Sequence, residues 1–257
     1  MRNSAPFRVG MLLSSLVLSV AFARAQSSCA PPESMKARFT GKPDPAALND
    51  LGIWFGDQKN YACSAQAFAT SLQIDPRQKE MPHVAFMFGA SMYLSGDSTE
   101  AIAALREAEK FGYRDIKLHL VLAEALDSTH ATAEAEAEWR AAIEIDPEYS
   151  DALDHLSNDL VSAADWEGVI MELDKPRLEP QRTIEQCQNL GRAYAQEGKL
   201  DESIRVLRDA LNTYPDSRPV AEQLADVLTR SGEKDEATAV LEVAQARQHS
   251  VADSPHR

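Results

Sequence analysis

From Ile184 to Ser217 the sequence reads IEQCQNLGRAYAQEGKLDESIRVLRDALNTYPDS, and the same pattern of apolar residues returns along most of the chain. Within that stretch Leu190, Tyr194, Ile204, Leu207 and Leu211 recur at spacings of three and four, which puts each set on one stripe of an α-helix. Gly198 separates the two helices. Thr183 followed by Gln186 predicts a capping box at the start, and Pro215 ends the second helix. Helices under about 15 residues are marginal alone in water, so such a hairpin buries its stripe only by stacking on a neighbour. The repeat therefore selects an all-α row of hairpins over any fold closed around distant segments.

The other hairpins follow in register. Residues 45–78 carry Leu48, Leu51, Gly52 and Phe55, then Phe68, and close on Pro76. Residues 82–115 carry Phe88, Gly89 and Met92, a turn at Gly96, then Ala101, Leu105 and Ala108, with Tyr113 where a proline would close the unit. Residues 116–149 carry Leu122, Ala123, Leu126, Ala135, Trp139, Ala142 and Pro147. In residues 150–183 the first helix is regular, with Leu153, Leu156 and Leu160. Pro176 interrupts the second, because proline removes a helical hydrogen bond and clashes with the preceding turn. That helix is expected to stop near Asp174, with Lys175 to Pro180 as an extended loop. Residues 184–217 are the fifth hairpin and 218–251 the sixth, which carries Leu224, Ala225, Leu228, Gly232, Ala237, Leu241 and Ala244.

The fifth unit resembles a tetratricopeptide repeat. Cys187 stands at the fourth position, Leu190 and Gly191 at the seventh and eighth, and Tyr194 at the eleventh. Ser203 stands at the twentieth, Leu207 at the twenty-fourth, Ala210 at the twenty-seventh and Pro215 at the thirty-second. The resemblance implies an α-solenoid, a right-handed superhelix of six hairpins over residues 45–251 whose concave face is lined by the first helices. The short polar segment after the sixth hairpin leaves no separate capping helix, so the sixth hairpin's second helix is expected to cap the row itself, and 252–257 is read as a disordered tail.

Residues 1–25 stand outside this pattern. Arg2 and Arg8 precede an uncharged apolar run from Val9 to Ala23, and Ala23-Arg24-Ala25 fits a signal-peptidase site, which predicts cleavage after Ala25 and a periplasmic or secreted protein. An uncleaved anchor is the competing reading, against which the run falls short of the ~20 residues that span a bilayer. Residues 26–44 are rich in Pro, Ser and Gly and read as a flexible leader. The segment removed carries three Arg and no acid, so cleavage takes the formal charge from −14 to −17. Such a field repels phosphate backbones, and nucleic acid and anionic membrane are poor partners. In an oxidising compartment a Cys29–Cys63 disulfide is open to the chain and clamps the leader onto the first hairpin. Cys187 lies on an apolar helical face and reads as a buried hydrophobe.

Neither a His-Glu-x-x-His pair, a Gly-x-Ser-x-Gly elbow, a phosphate-cradling Gly-rich Lys loop nor a Cys-x-x-Cys occurs in the sequence. No catalytic residue, metal or cofactor is assigned. By the family resemblance, ligand contacts come from the second, fifth, ninth and twelfth positions of each first helix. Those positions give Asn49 and Ile53, then His83, Phe86 and Tyr93, then Lys117, Leu120, Glu124 and Asp127. Further along they give Asp151, Asp154 and Asn158, then Glu185, Gln188 and Arg192, then Glu222 and Asp226. The surface runs from apolar and aromatic to acidic and fits a peptide with an apolar anchor followed by basic residues. The competing reading makes Phe86 and Leu120 packing residues and the acids a solvated surface.

The function expected is an exported, non-catalytic scaffold that binds a partner protein or peptide in cell-envelope assembly or maintenance. Self-association through the last hairpin or the loop after Pro176 is one alternative. A groove-based enzyme around His119, His155 and Glu124 is the other.

Overall fold

The computed structural model describes residues 29–42 and 44–252. Residues 1–28, where the signal segment and its cleavage are expected, and the tail from residue 253 lie outside the described residues. Twelve α-helices and two 3-10 helices make up these residues, and no strand occurs among them. The helices follow one another in the chain as six successive pairs: α1 (Pro45–Asp57) and α2 (Tyr61–Ile74), α3 (Met81–Leu94) and α4 (Ser98–Lys110), and α5 (Ile116–Ser128) and α6 (Thr132–Ile145). Then come α7 (Ser150–Ser162) with α8 (Trp166–Leu173), α9 (Ile184–Gln196) with α10 (Leu200–Thr213), and α11 (Arg218–Ser231) with α12 (Lys234–Ala252). The chain divides into two compact units, one ending at Ala135 and the other starting at Glu136.

Each hairpin turn has the same backbone device. The fifteenth residue of every repeat, Lys59, Gly96, His130, Ala164, Gly198 and Gly232, has positive φ between 57° and 98°. That left-handed residue ends the first helix and reverses the chain. Only glycine adopts it without steric cost, and three of the six are not glycine.

The two helices of a hairpin meet closely at the eighth position. A Cβ built on Gly191 would stand 2.8 Å from Leu207, which is fully buried, and one on Gly52 would stand 2.7 Å from the Phe68 ring. Beside these contacts the serine at position twenty donates to the glycine's carbonyl, Ser64 to Gly52 at 2.8 Å and Ser203 to Gly191 at 2.7 Å. In the C-terminal unit the core continues through Val220, Leu224, Val227 and Leu228 onto Leu207 and Ala210.

The stretch read as a flexible leader has structure. Residues Glu33–Phe39 form a 3-10 helix, Met35 and Phe39 pack against Leu51, Phe55 and Cys63, and Cys29 is disulfide-bonded to Cys63 across 34 residues of sequence. Arg38 pairs with Asp50. Two apolar residues four apart carry no period to read, which is why the sequence pattern missed this element. A second departure lies after α8, which ends at Leu173. The chain then forms a 3-10 helix over Pro176–Gln181 where an extended loop was expected. The capping box at α9 is half formed. Thr183 Oγ1 accepts from the Gln186 amide at 3.1 Å, and the Gln186 side chain turns to Ser150 and Asp154 on α7.

Three stability effects are expected. Ala164→Gly relieves a left-handed alanine at an exposed turn and raises stability by about 0.5–1 kcal/mol after the added chain entropy is counted. Gly191→Ala drives a methyl group into buried Leu207 and lowers stability by about 1–3 kcal/mol. Opening the Cys29–Cys63 disulfide releases its loop and costs the N-terminal unit about 2–4 kcal/mol. Urea unfolding of the variants, and of the oxidised against the reduced protein, measures each.

Candidate functional site

The two compact units each present part of the surface anticipated from the first helices. In the N-terminal unit, Ile53 on α1 is 44% exposed, and Leu120 on α5 is half-buried. Asn49 donates from Nδ2 to Gln78 Oε1 at 2.9 Å, while its Oδ1 is buried without a partner. Tyr93 on α3 hydrogen-bonds the Glu124 carboxylate on α5, with Asp127 close by. Burial first, then these carboxylates, pushes the phenol above its ordinary range. The structure thus gathers Tyr93, Glu124 and Asp127 into one acidic patch, with Lys117 and His83 exposed elsewhere on the same helices.

Phe86 corrects the expectation. It is only 6% exposed and stacks on Tyr113, the ring centroids 4.5 Å apart and the planes 10° from parallel. Tyr113 occupies the place of the closing proline, and its ring covers the face of Phe86 that the helical wheel pointed outward. Phe86 is a packing residue, so the aromatic end of the proposed groove is reduced to Tyr93.

In the C-terminal unit the α7 residues are committed to α9. Asp154 Oδ1 accepts from Thr183 Oγ1 at 2.9 Å and from Gln186 Nε2 at 2.7 Å. Asn158 donates to Glu185 at 2.7 Å and accepts from Asn189 at 2.8 Å, and Asn189 also reaches Ser157 at 3.1 Å. These bonds form a polar seam between consecutive first helices. Burial raises the Asp154 pKa, opposed by its two hydrogen bonds and reinforced by Glu185 and Asp151. Asp151 stays exposed.

Between α9 and α11 the same helical positions converge on an open cavity of about 340 Å³. Its walls include Gln188 and Arg192 from α9, and Glu222, Gln223, Asp226 and Arg230 from α11. Glu222 is held by Arg218 at 2.6 Å, and Asp226 lies 3.9 Å from Arg230, which also donates to the Ala195 carbonyl at 2.7 Å. Arg192 makes no ion pair or hydrogen bond among the described residues. Gln223 donates to the Gln188 carbonyl at 2.8 Å and keeps a buried Oε1 without a partner. The position rule missed Gln223 and Arg230. Arg230 was legible as the residue four beyond Asp226 on one face, whereas Gln223 had no signal, since its role depends on reaching α9.

Of the residues of the catalytic alternative, His119 and Glu124 lie on α5 in the N-terminal unit and His155 on α7 in the C-terminal unit. His155 is exposed and stacks flat on Trp139, the centroids 4.5 Å apart. Among the described residues no three His, Cys, Asp or Glu side chains stand together in a way that holds a metal ion.

A family model described as tetratricopeptide repeat matches residues 194–253. No curated protein matches the sequence. Among solved structures, a tetratricopeptide repeat protein from Parabacteroides merdae ATCC 43184 is 17% identical, with a TM-score of 0.58 and 77% of each chain covered. MamA from residue 41 to its end, from Desulfovibrio magneticus RS-1, is 16% identical with a TM-score of 0.55, covering 67% of this chain and 97% of that one. MamA MSR-1 is 20% identical with a TM-score of 0.52, covering 67% and 99%. At such identities the likeness is one of fold. The class defined by these hairpins is the helical-repeat solenoid. With its repeat positions filled as above, the chain has the tetratricopeptide-repeat fold, and over residues 194–253 it matches that family's model.

The polar seam makes a pH-dependent prediction. A raised pKa means the folded protein favours protonated Asp154, so this group's stabilising contribution is present at low pH and lost as pH rises through the folded value. Asp154→Asn, which keeps an acceptor at Oδ1, is expected to be more stable than the parent at pH 7 by up to about 1 kcal/mol. The difference should vanish below about pH 4. Denaturant titrations at both pH values measure it.

Proposed function

We propose that this protein is an exported, non-catalytic scaffold that binds a segment of a partner protein along the first helices of its hairpins, in assembly or upkeep of the cell envelope. One observation carries the reading. In the α9–α11 cavity a guanidinium, Arg192, and a buried acceptor, Gln223 Oε1, are both without partners among the described residues. An extended peptide supplies both complements, a carbonyl or carboxylate oxygen for the arginine and an amide N–H for the glutamine. In the N-terminal unit, Glu124 and Asp127 beside Tyr93 favour a basic side chain, and Ile53 and Leu120 offer apolar contact. Export is supported by the Arg2–Ala25 segment and by the Cys29–Cys63 disulfide, which fits an oxidising compartment. Among the described residues no helix is long and apolar enough to cross a membrane.

A second reading, self-association through the last hairpin, has its own support. Leu241 and Val243 on α12 are 42% and 52% exposed. Sedimentation of the protein from Gln26 onward separates the two readings, since a monomer at micromolar concentration excludes self-association.

The scaffold reading is tested by selecting binders from a displayed peptide library and titrating them against variants. Arg192→Ala with Gln223→Ala is expected to weaken binding at the C-terminal unit by about tenfold or more, as for lost hydrogen bonds to a charged group. Glu124→Gln with Asp127→Asn should weaken peptides carrying basic residues and raise their salt tolerance. Selected peptides that bind both double variants as tightly as the parent would place the contact elsewhere.

A further inference from the structure

The C-terminal unit holds a second cavity, on the α10 side, created by the truncation of α8. That helix has 8 residues, whereas α2, α6 and α10 have 14 each. Where its last turns would continue, the chain folds into the Pro176–Gln181 3-10 helix. Beside it lies a cavity of about 310 Å³, floored by Val206, Ala210 and Cys187. Its size falls at the small end of the ~300–1,000 Å³ range of ligand pockets.

One wall is Arg182, 6% exposed. Its Nε and Nη2 donate to the Leu173 carbonyl at 3.1 and 2.8 Å, Nη2 also reaches the Lys175 carbonyl at 3.4 Å, and the nearest carboxylate, Asp174, stands 3.7 Å away. Asp174 itself accepts from Tyr194. The Nη1 edge has no partner among the described residues, so a buried cation presents unused N–H donors beside the cavity. At the rim stand two carboxylates, Glu179 and Asp209, which share Arg205 at 3.6 and 4.0 Å. A simple anion meets repulsion from the rim carboxylates, and a simple cation meets it from Arg182. A ligand carrying both an acceptor oxygen and an ammonium a few ångströms apart, with a small apolar group for the floor, satisfies all three surfaces.

We infer that this cavity binds the α-amino acid unit, either as a free amino acid or as the first residue of a peptide. The oxygen of the ligand accepts from Arg182, its ammonium takes over Glu179 and Asp209 from Arg205, whose exposed pairs at 3.6 and 4.0 Å are long enough to yield at little cost, and its side chain covers Val206 and Ala210. The site is separate from the α9–α11 cavity and does not depend on the scaffold reading.

Cys187 supplies the readout, because with Cys29 and Cys63 bridged it is the one free thiol. Burial pushes its pKa up, so an aromatic disulfide reagent should label it slowly. With the disulfide-intact protein, leucine is expected to slow labelling by about fivefold or more at saturation, and N-acetylleucine, which lacks the ammonium, should not. Leucinamide and leucylglycine distinguish the sources. Protection by leucine alone assigns a free amino acid, and equal protection by all three assigns a peptide amino terminus. Arg182 also holds the end of α8, so its removal risks the fold. The exposed pair Glu179→Gln and Asp209→Asn serves instead, with an expected loss of affinity of about tenfold, while Val206→Trp fills the cavity and should abolish protection. The inference is overturned if no ligand protects the thiol, if N-acetylleucine protects as well as leucine, or if the rim variants keep full protection.

Discussion

The first, second and fifth hairpins rest on the close approach of two short helices at one point. At Gly52, Gly89 and Gly191 a methyl group in place of hydrogen would lie under 3 Å from the side chain sixteen residues later, Phe68, Leu105 or Leu207. A helix pair brought that close buries a large residue completely against backbone, and dispersion over such a contact is what a marginal helix lacks by itself. Ser64 and Ser203 add a hydrogen bond to the same glycine carbonyls, so the contact also fixes the helices' register. The left-handed fifteenth residue then follows as a geometric need, because helices in contact seven residues earlier require an abrupt reversal. Lys59, His130 and Ala164 accept the strained conformation where glycine is absent, which shows tertiary contact overriding local preference.

The fourth hairpin shows what happens when that scheme is broken. Pro176 falls at the twenty-seventh position, where the other hairpins place a small helical residue, and α8 loses its last turns. The carbonyls exposed at the broken end need donors, and Arg182 supplies them from the chain just before α9. Tyr214 donates to the Arg182 carbonyl and Tyr194 to Asp174, tying the redirected loop to the fifth hairpin. On the other side α7 and α9 are joined by Asp154, Ser157 and Asn158 meeting Gln186 and Asn189. Hydrogen bonds have a direction and a length that apolar contacts lack, so this junction is specified by polar pairing as well as by shape.

The hairpins and their order were legible because each depends on a period of three to four residues repeated many times, and on glycine or proline at fixed offsets. The shortening of α8 was legible for the same local reason. What could not be read were features set by partners distant in sequence. Phe86 falls on the outer face of a helical wheel, and only Tyr113 from the following loop makes it a buried residue. Asp154 looked like a free acid until Thr183 and Gln186 closed on it. Gln186 looked like half of a capping box, yet its amide gains more by crossing to α7, where it satisfies two acceptors on another helix. Position within a repeat predicts where a side chain starts, and its neighbours decide where it ends.

This bears on how a strongly acidic chain achieves selectivity. Counting charges along the first helices suggests a broad electrostatic surface, but several of those charges are already spent. Glu222 is held by Arg218, Glu185 by Asn158, Asp226 stands beside Arg230, and Asp154 is closed by two donors. A paired surface charge contributes little to binding because a ligand must displace its partner to use it. An unpaired buried group behaves in the opposite way, since it has already lost its water and gains a full hydrogen bond from whatever arrives. Gln223 Oε1 is such a group, whereas Arg192 is an exposed guanidinium with no ion pair or hydrogen bond among the described residues, and Arg182 keeps one edge of its guanidinium unused. Under the proposed functions these are the groups that discriminate a partner's chemistry, while the surrounding negative field acts mainly on the speed of its approach.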